Sequence, residues 1–145
     1  MEIQLKKVHT AKDLAISAIT VAAGIGLCFV NAGLGFLIAG CGILMLCFYK
    51  AGYQREGEKL TLKKCALDVS RACRESLMGF LDGKDVEPEV VISNAVGIIR
   101  LEVYYNAIAS VAYAQIFDFS NYTYEPATEL VELRGPRADK LISKL

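Results

Sequence analysis

Charge of either sign is not in excess in this chain. Its 16 basic and 16 acidic residues cancel, so no cationic surplus exists to neutralise phosphates, and nucleic acid is not among the expected partners. No block of like charge marks an acidic disordered tail. The only histidine is His9, which rules out a Ser-His arrangement anywhere in the second half of the chain. The five cysteines, Cys28, Cys41, Cys47, Cys65 and Cys73, form no Cys-x-x-Cys pair, and a zinc site needs about four well-placed ligands. Neither a metal nor a cofactor is expected. Apolar neighbours and an odd number favour thiols that act as small hydrophobes in a reducing compartment.

Charge is missing altogether from Leu14 to Tyr49, between Asp13 and Lys50. The whole chain is apolar for its 145 residues, at 54% hydrophobic and a mean hydropathy of +0.36. One continuous helix over the uncharged run would reach about 54 Å, against a hydrocarbon core of about 30 Å. Two shorter spans fit better. Asn31-Ala32-Gly33 lies at the midpoint, and Asn and Gly tolerate turn conformations. The run therefore predicts a membrane hairpin of two transmembrane helices, Leu14 to Val30 and Leu34 to Tyr49, with its turn near 31–33. Thr10-Ala11-Lys12-Asp13 has the form of a capping box. Lys6, Lys7 and Lys12 precede the hairpin, while Lys50, Arg55, Lys59, Lys63 and Lys64 follow it. The positive-inside rule then puts both termini in the cytoplasm, at a cell (inner) membrane. A signal peptide ending near Val30-Asn31-Ala32 and a soluble buried hairpin are the rival readings.

Within the run, Ala-Gly-x-Gly occurs at 23–26, 32–35 and 39–42. A dinucleotide loop would need a further glycine where Phe29, Ile38 and Met45 stand, and no Gly-Lys-Ser/Thr triplet offers a P-loop. The remaining use is close helix contact in lipid. Gly26, Gly33, Gly35, Gly40 and Gly42 are the expected helix-packing residues, either within one hairpin or between hairpins of a homo-oligomer. No Asp, Glu, Lys, Arg or His lies within the spans, which argues against ion-coupled transport.

Beyond a polar linker at 51–59, residues 60–145 predict a small cytoplasmic α+β domain with an antiparallel sheet of three or four strands. Leu62, Cys65, Ala66, Val69, Cys73, Leu77 and Phe80 recur at helical spacing, predicting one helix from Leu60 to Leu81 with Lys64–Asp68 and Arg71–Glu75 pairs outside. Strands are expected at Val90–Ser93, Gly97–Tyr105, Val111–Ser120 and Thr128–Arg134. Asn106–Ala109 reads as a turn, Asn121–Ala127 as a loop, and the segment from Pro136 as a final helix.

No nucleophile with a base is visible; Glu102, Asp118, Glu125, Glu129 and Glu132 are the carboxylates that could pair, and a hairpin could set Glu102 opposite Asp118. The distinctive feature is aromatic: Tyr104, Tyr113, Phe117, Phe119, Tyr122 and Tyr124 suit a partner-facing surface. The expectation is a non-catalytic, membrane-anchored interaction or scaffold module whose partners are the lipid bilayer and another protein. The alternative is an oligomerising two-helix effector that permeabilises the bilayer under control of the cytoplasmic domain.

Overall fold

The computed structural model describes residues 3–93 and 98–145. The architecture is α+β, and the chain divides into two compact units: Leu5–Thr61, and Leu62–Leu145 with the residues before Leu5.

The first unit is a helical hairpin closed at its base by a small sheet. Helix α1 runs Ala11–Cys28 and α2 runs Ala32–Phe48. By length and composition α1 is apolar enough to cross a membrane, and α2 is a shorter apolar helix. The capping box is present: Asp13 N–H donates to Thr10 Oγ1 (3.1 Å), and Thr10 N–H donates to Asp13 Oδ2 (3.0 Å). Asp13 Oδ2 also accepts from Ala51 N–H at 3.1 Å, tying the start of α1 to the exit of α2.

The turn sits slightly earlier than the sequence predicts, at Phe29-Val30-Asn31. Asn31 is not left-handed; it is extended (φ −146°, ψ 104°) and caps α2 by accepting from Leu34 N–H at 3.2 Å. A capping side chain does the work assigned above to turn flexibility, and Gly33 lies inside α2. Residues of the 1–13 segment, expected as a separate cytoplasmic N-terminal segment, and of the linker expected at 51–59 are paired. Strands β1 (Leu5–Val8) and β2 (Gly52–Arg55) form an antiparallel ladder from Leu5↔Arg55 to Val8↔Gly52. An N-terminal segment and a linker with no apolar periodicity gave no sign that they would meet.

The second unit is a five-stranded antiparallel sheet with two helices. Strands β3 (Lys63–Ser70), β4 (Ile98–Asn106) and β5 (Val111–Ser120) are neighbours in that order. Strands β6 (Thr123–Pro126) and β7 (Val131–Arg134) share the far edge of β5. β6 pairs with Phe117–Ser120 and β7 with Val111–Ala114.

Two expectations fail here, which is why the sheet has five strands rather than three or four. The helix expected over 60–81 begins as strand β3, passes through a 3-10 turn at Arg71–Cys73, and becomes helix α3 only at Arg74–Leu81. Cys65, Leu67 and Val69 also alternate, so the first half fits both periods, and eight residues of pairing with β4 decide for strand. The loop expected over Asn121–Ala127 is mostly β6. Its two-residue turn has Asn121 at φ 50° and Tyr122 at φ 63°, the geometry of a type I′ hairpin. A tyrosine where glycine is usual hid that turn.

Other elements agree more closely. β5 has the expected bounds, and β4 covers the described part of its expectation; Gly97 lies outside the described residues. Val90–Ser93 forms only an isolated bridge, Val69↔Ile92, and the strand expected from Thr128 starts at Val131. Helix α4 (Pro136–Ile142) opens on Pro136 as expected, after Gly135 at φ 60°.

The core lies on one face of this sheet. Val69, Ile99, Leu101, Val103, Ala112, Ala114, Ile116 and Leu133 meet Cys73, Leu77 and Phe80 from the α3 side and Ala138 and Leu141 from α4. Arg137 stacks over the Phe80 ring and donates to the Phe80 carbonyl, fastening α4 to α3.

Candidate interaction surfaces

Two surfaces stand out: the outside of the hairpin and the open face of the sheet. The hairpin is built inside out by the standard of a soluble protein. Its buried positions are Asp13, Ser17 and Gly24 on α1 and Gly35 and Gly42 on α2. Its exposed positions include Ile19, Ile25, Phe29, Phe36, Leu37 and Leu44. Contiguous exposed apolar surface of this kind marks contact with a partner or a membrane.

The glycines explain the buried side. A Cβ on Gly24 would strike the Ala39 backbone, one on Gly35 would strike Cys28, and one on Gly42 would lie 2.8 Å from Val21 N. Gly35 and Gly42 therefore face α1, and Gly24, absent from the expected set, faces α2. Among the described residues, a Cβ on Gly26 or Gly40 would meet nothing within 4 Å, and one on Gly33 only the Asn31 side chain. Spacing along one helix could not tell inward from outward glycines. The partner helix decides that, and Gly24 was missed because it falls outside the seven-residue intervals that relate Gly26, Gly33 and Gly40, and Gly35 and Gly42.

On the sheet, strand register sends Tyr104, Tyr113, Phe117, Phe119 and Tyr124 to the face opposite the core. Tyr113 is fully buried and so is not part of an accessible surface. Tyr122 projects from the β5–β6 turn, 95% exposed. Two clusters hold this face in place. Asp68 accepts from Arg100 Nε (3.0 Å) and from the Tyr124 hydroxyl (3.3 Å). The Arg100 guanidinium lies 3.8 Å from the Tyr124 ring centroid, and Phe119 packs on Tyr124 at 5.1 Å. Beside it, Glu102 pairs with Lys64 Nζ (2.8 Å) and accepts from the Tyr104 hydroxyl (3.1 Å).

Burial pushes the Tyr104 phenol above its usual value, with the Glu102 charge adding to the effect and Lys64 opposing it. Burial alone would lower Lys64, but its bonds to Glu102 and Tyr104 outweigh that and hold it above the ordinary lysine range. Lys64 and Asp68, expected as a helical pair, instead reach across to β4. Their alternation with Cys65, Leu67 and Val69 was the available signal, masked by the equally good helical spacing.

Glu102 and Asp118 do not meet. Glu102 stands opposite Gln115, and Asp118 stands opposite Ile99, so they point to opposite faces. Asp118 instead receives a two-pronged contact from Arg74, Nε to Oδ1 at 3.0 Å and Nη2 to Oδ2 at 2.8 Å. The Arg74 bonds hold the Asp118 carboxyl below the ordinary carboxylate range. Among the described residues, no three His, Cys, Asp or Glu side chains lie close enough to share a metal ion.

Between β6 and β7 the edge of the sheet is interrupted. Ile116 N–H donates to Thr128 Oγ1 and Gln115 Nε2 donates to the Thr128 carbonyl, which bridges the gap. An open groove of about 700 Å³ runs here, lined by Gln115, residues 126–130 and Ile3. No protein-family model, curated protein or solved structure matches this chain.

Proposed function

We propose that this protein is a membrane-anchored interaction module: the hairpin resides in a bilayer, and the α+β unit presents its open sheet face to a protein partner. One observation carries the reading. The hairpin buries a carboxylate, a hydroxyl and three glycines while exposing its isoleucines, leucines and phenylalanines. In water that arrangement exposes the most costly surface. In lipid it is the expected one, because helix contact there depends on small residues and close approach. A buried core helix of a soluble protein passes the same test of length and composition, but only 17% of α1 is buried.

Lysines flank both ends of the hairpin and its turn has no charge, which favours both termini on the cytoplasmic side. On the sheet, the cations Lys64 and Arg100 are each matched by a carboxylate, so the face suits a protein rather than a polyanion. The direct test is extraction of native membranes, first with alkaline carbonate and then with detergent. Release of the full chain by carbonate alone would sink the reading.

A second reading has its own observation. Among the described residues, a Cβ on Gly26 or Gly40 would have nothing within 4 Å, a surface open to another hairpin. If it is used, the chain is an oligomerising effector that permeabilises the bilayer. Light scattering on the detergent-solubilised particle separates the two readings. A monomer leaves the anchored module; a discrete oligomer that dissociates in Gly33→Leu and Gly40→Leu, with loss of expression toxicity, favours the effector.

A further inference from the structure

The β4–β5 turn is apolar where turns are usually polar. Ala107, Ile108 and Ala109 are all exposed, and Ile108 is 99% so. The turn is also firmly built. Asn106 Oδ1 accepts from both Ile108 N–H and Ala109 N–H at 3.0 Å, and Ser110 takes φ 50°. The Ser110 carbonyl accepts from Gly135 N–H at 2.8 Å, fixing the turn to the start of α4. An isoleucine held out on such a support is presented rather than loosely exposed.

Its surroundings indicate what it meets. Tyr104 and Tyr105 lie just below the turn on β4. Lys63, exposed, opens β3 opposite Tyr105, and Lys64 follows opposite Tyr104. Arg134 closes β7 opposite Val111 at this same end. Lys64 and Arg134 are tied to Glu102 and Glu132, so Lys63 supplies the uncompensated charge among the described residues at this rim. An apolar tip, tyrosines behind it and one uncompensated lysine at the rim are what the boundary between acyl chains and anionic headgroups accommodates.

We infer that the Ala107–Ser110 turn is a second membrane contact, dipping Ile108 into the headgroup region of an anionic bilayer. The inference rests on the hairpin reading above. A single isoleucine binds lipid weakly on its own, but the anchor makes the encounter intramolecular, so a weak contact suffices. Its consequence would be a sheet unit held in a fixed attitude to the bilayer instead of swinging on a tether.

The sequence contains no tryptophan, so a single one reports without background. Full-length Ile108→Trp and, separately, Phe36→Trp would be reconstituted in phosphatidylcholine–phosphatidylserine vesicles with and without brominated acyl chains. The expected result is blue-shifted emission and quenching by bromine in both. Quenching at position 36 but not at 108 overturns the tip contact and leaves the hairpin reading intact; a blue shift at 108 without bromine quenching puts the tip against protein and overturns it too. No quenching at 36 overturns both. Because tryptophan itself favours interfaces, amide exchange at 107–110 is compared in nanodiscs between the native chain and Ile108→Asp. Slower exchange in the native chain supports the contact, and equal exchange overturns it.

Discussion

The two units of this chain reach compactness by opposite means. The sheet unit buries side chains: Val69, Leu101, Val103 and Ile116 are completely enclosed and the polar groups lie outside. The hairpin buries backbone: where α1 meets α2, glycines let one helix rest directly on the main chain of the other. In the first case stability scales with apolar area removed from water. In the second it depends on fit, because the large apolar side chains point away from the contact. Burial therefore has no single residue signature within one short chain. Leu marks the inside of the sheet unit and the outside of the hairpin.

Mutations can sharpen or break that contrast. The largest effect is expected from Leu101→Ala, which opens a cavity in the sheet core and should cost about 2–5 kcal/mol in denaturant unfolding. Next is Gly35→Leu, whose side chain would enter the Cys28 backbone; overpacking of this kind costs about 1–3 kcal/mol or more. It should loosen the hairpin in detergent while hydrogen exchange in the sheet stays unchanged. If Gly35→Leu were harmless, the claim that the hairpin packs by backbone contact would fail.

Asp13→Ala removes the capping box and the bond to Ala51 together, with an expected loss of about 1–2 kcal/mol, seen as faster amide exchange at Thr10 and Ala51. A smaller effect belongs to the Arg74–Asp118 contact. The folded carboxyl titrates below its usual 3.8, so its contribution is full above that pH and fades as pH falls through the depressed folded value. The pair is about one-third exposed, which limits it to about 0.2–1 kcal/mol. Asp118→Asn should flatten that part of the acid limb in a stability–pH profile. Smallest of all, Gly40→Leu should leave the hairpin's own stability within about 0.5 kcal/mol, because no atom of α1 lies near it; a large loss would mean that Gly40 packs in a way this arrangement lacks.

How far the sequence alone reached depends on how local the deciding interaction is. The capping box, the Pro136 helix start, the Asn106 turn and strand Val111–Ser120 are set within a few neighbouring residues, and each was legible. Lys63–Ser70 was not, because its apolar residues satisfy a period of two and a period near four, and only pairing with β4 chooses between them. β6 was hidden behind a turn whose second residue is tyrosine. β1 and β2 were hidden because their partners lie on either side of the whole hairpin.

The surfaces follow the same division. Register sends five of the six aromatics to one face of the sheet, yet Tyr113 is buried, and the cations that brace its neighbours, Lys64 and Arg100, were not foreseen as part of that face. By itself the sequence determined an uncharged, glycine-rich pair of helices ahead of a small α+β unit, because composition and short-range periodicity need no tertiary partner. Which glycines touch, which carboxylate meets which arginine and which face of each strand is covered were left to the tertiary structure. Each of those depends on register between segments far apart in the chain, and shifting a strand's register by one residue exchanges its faces.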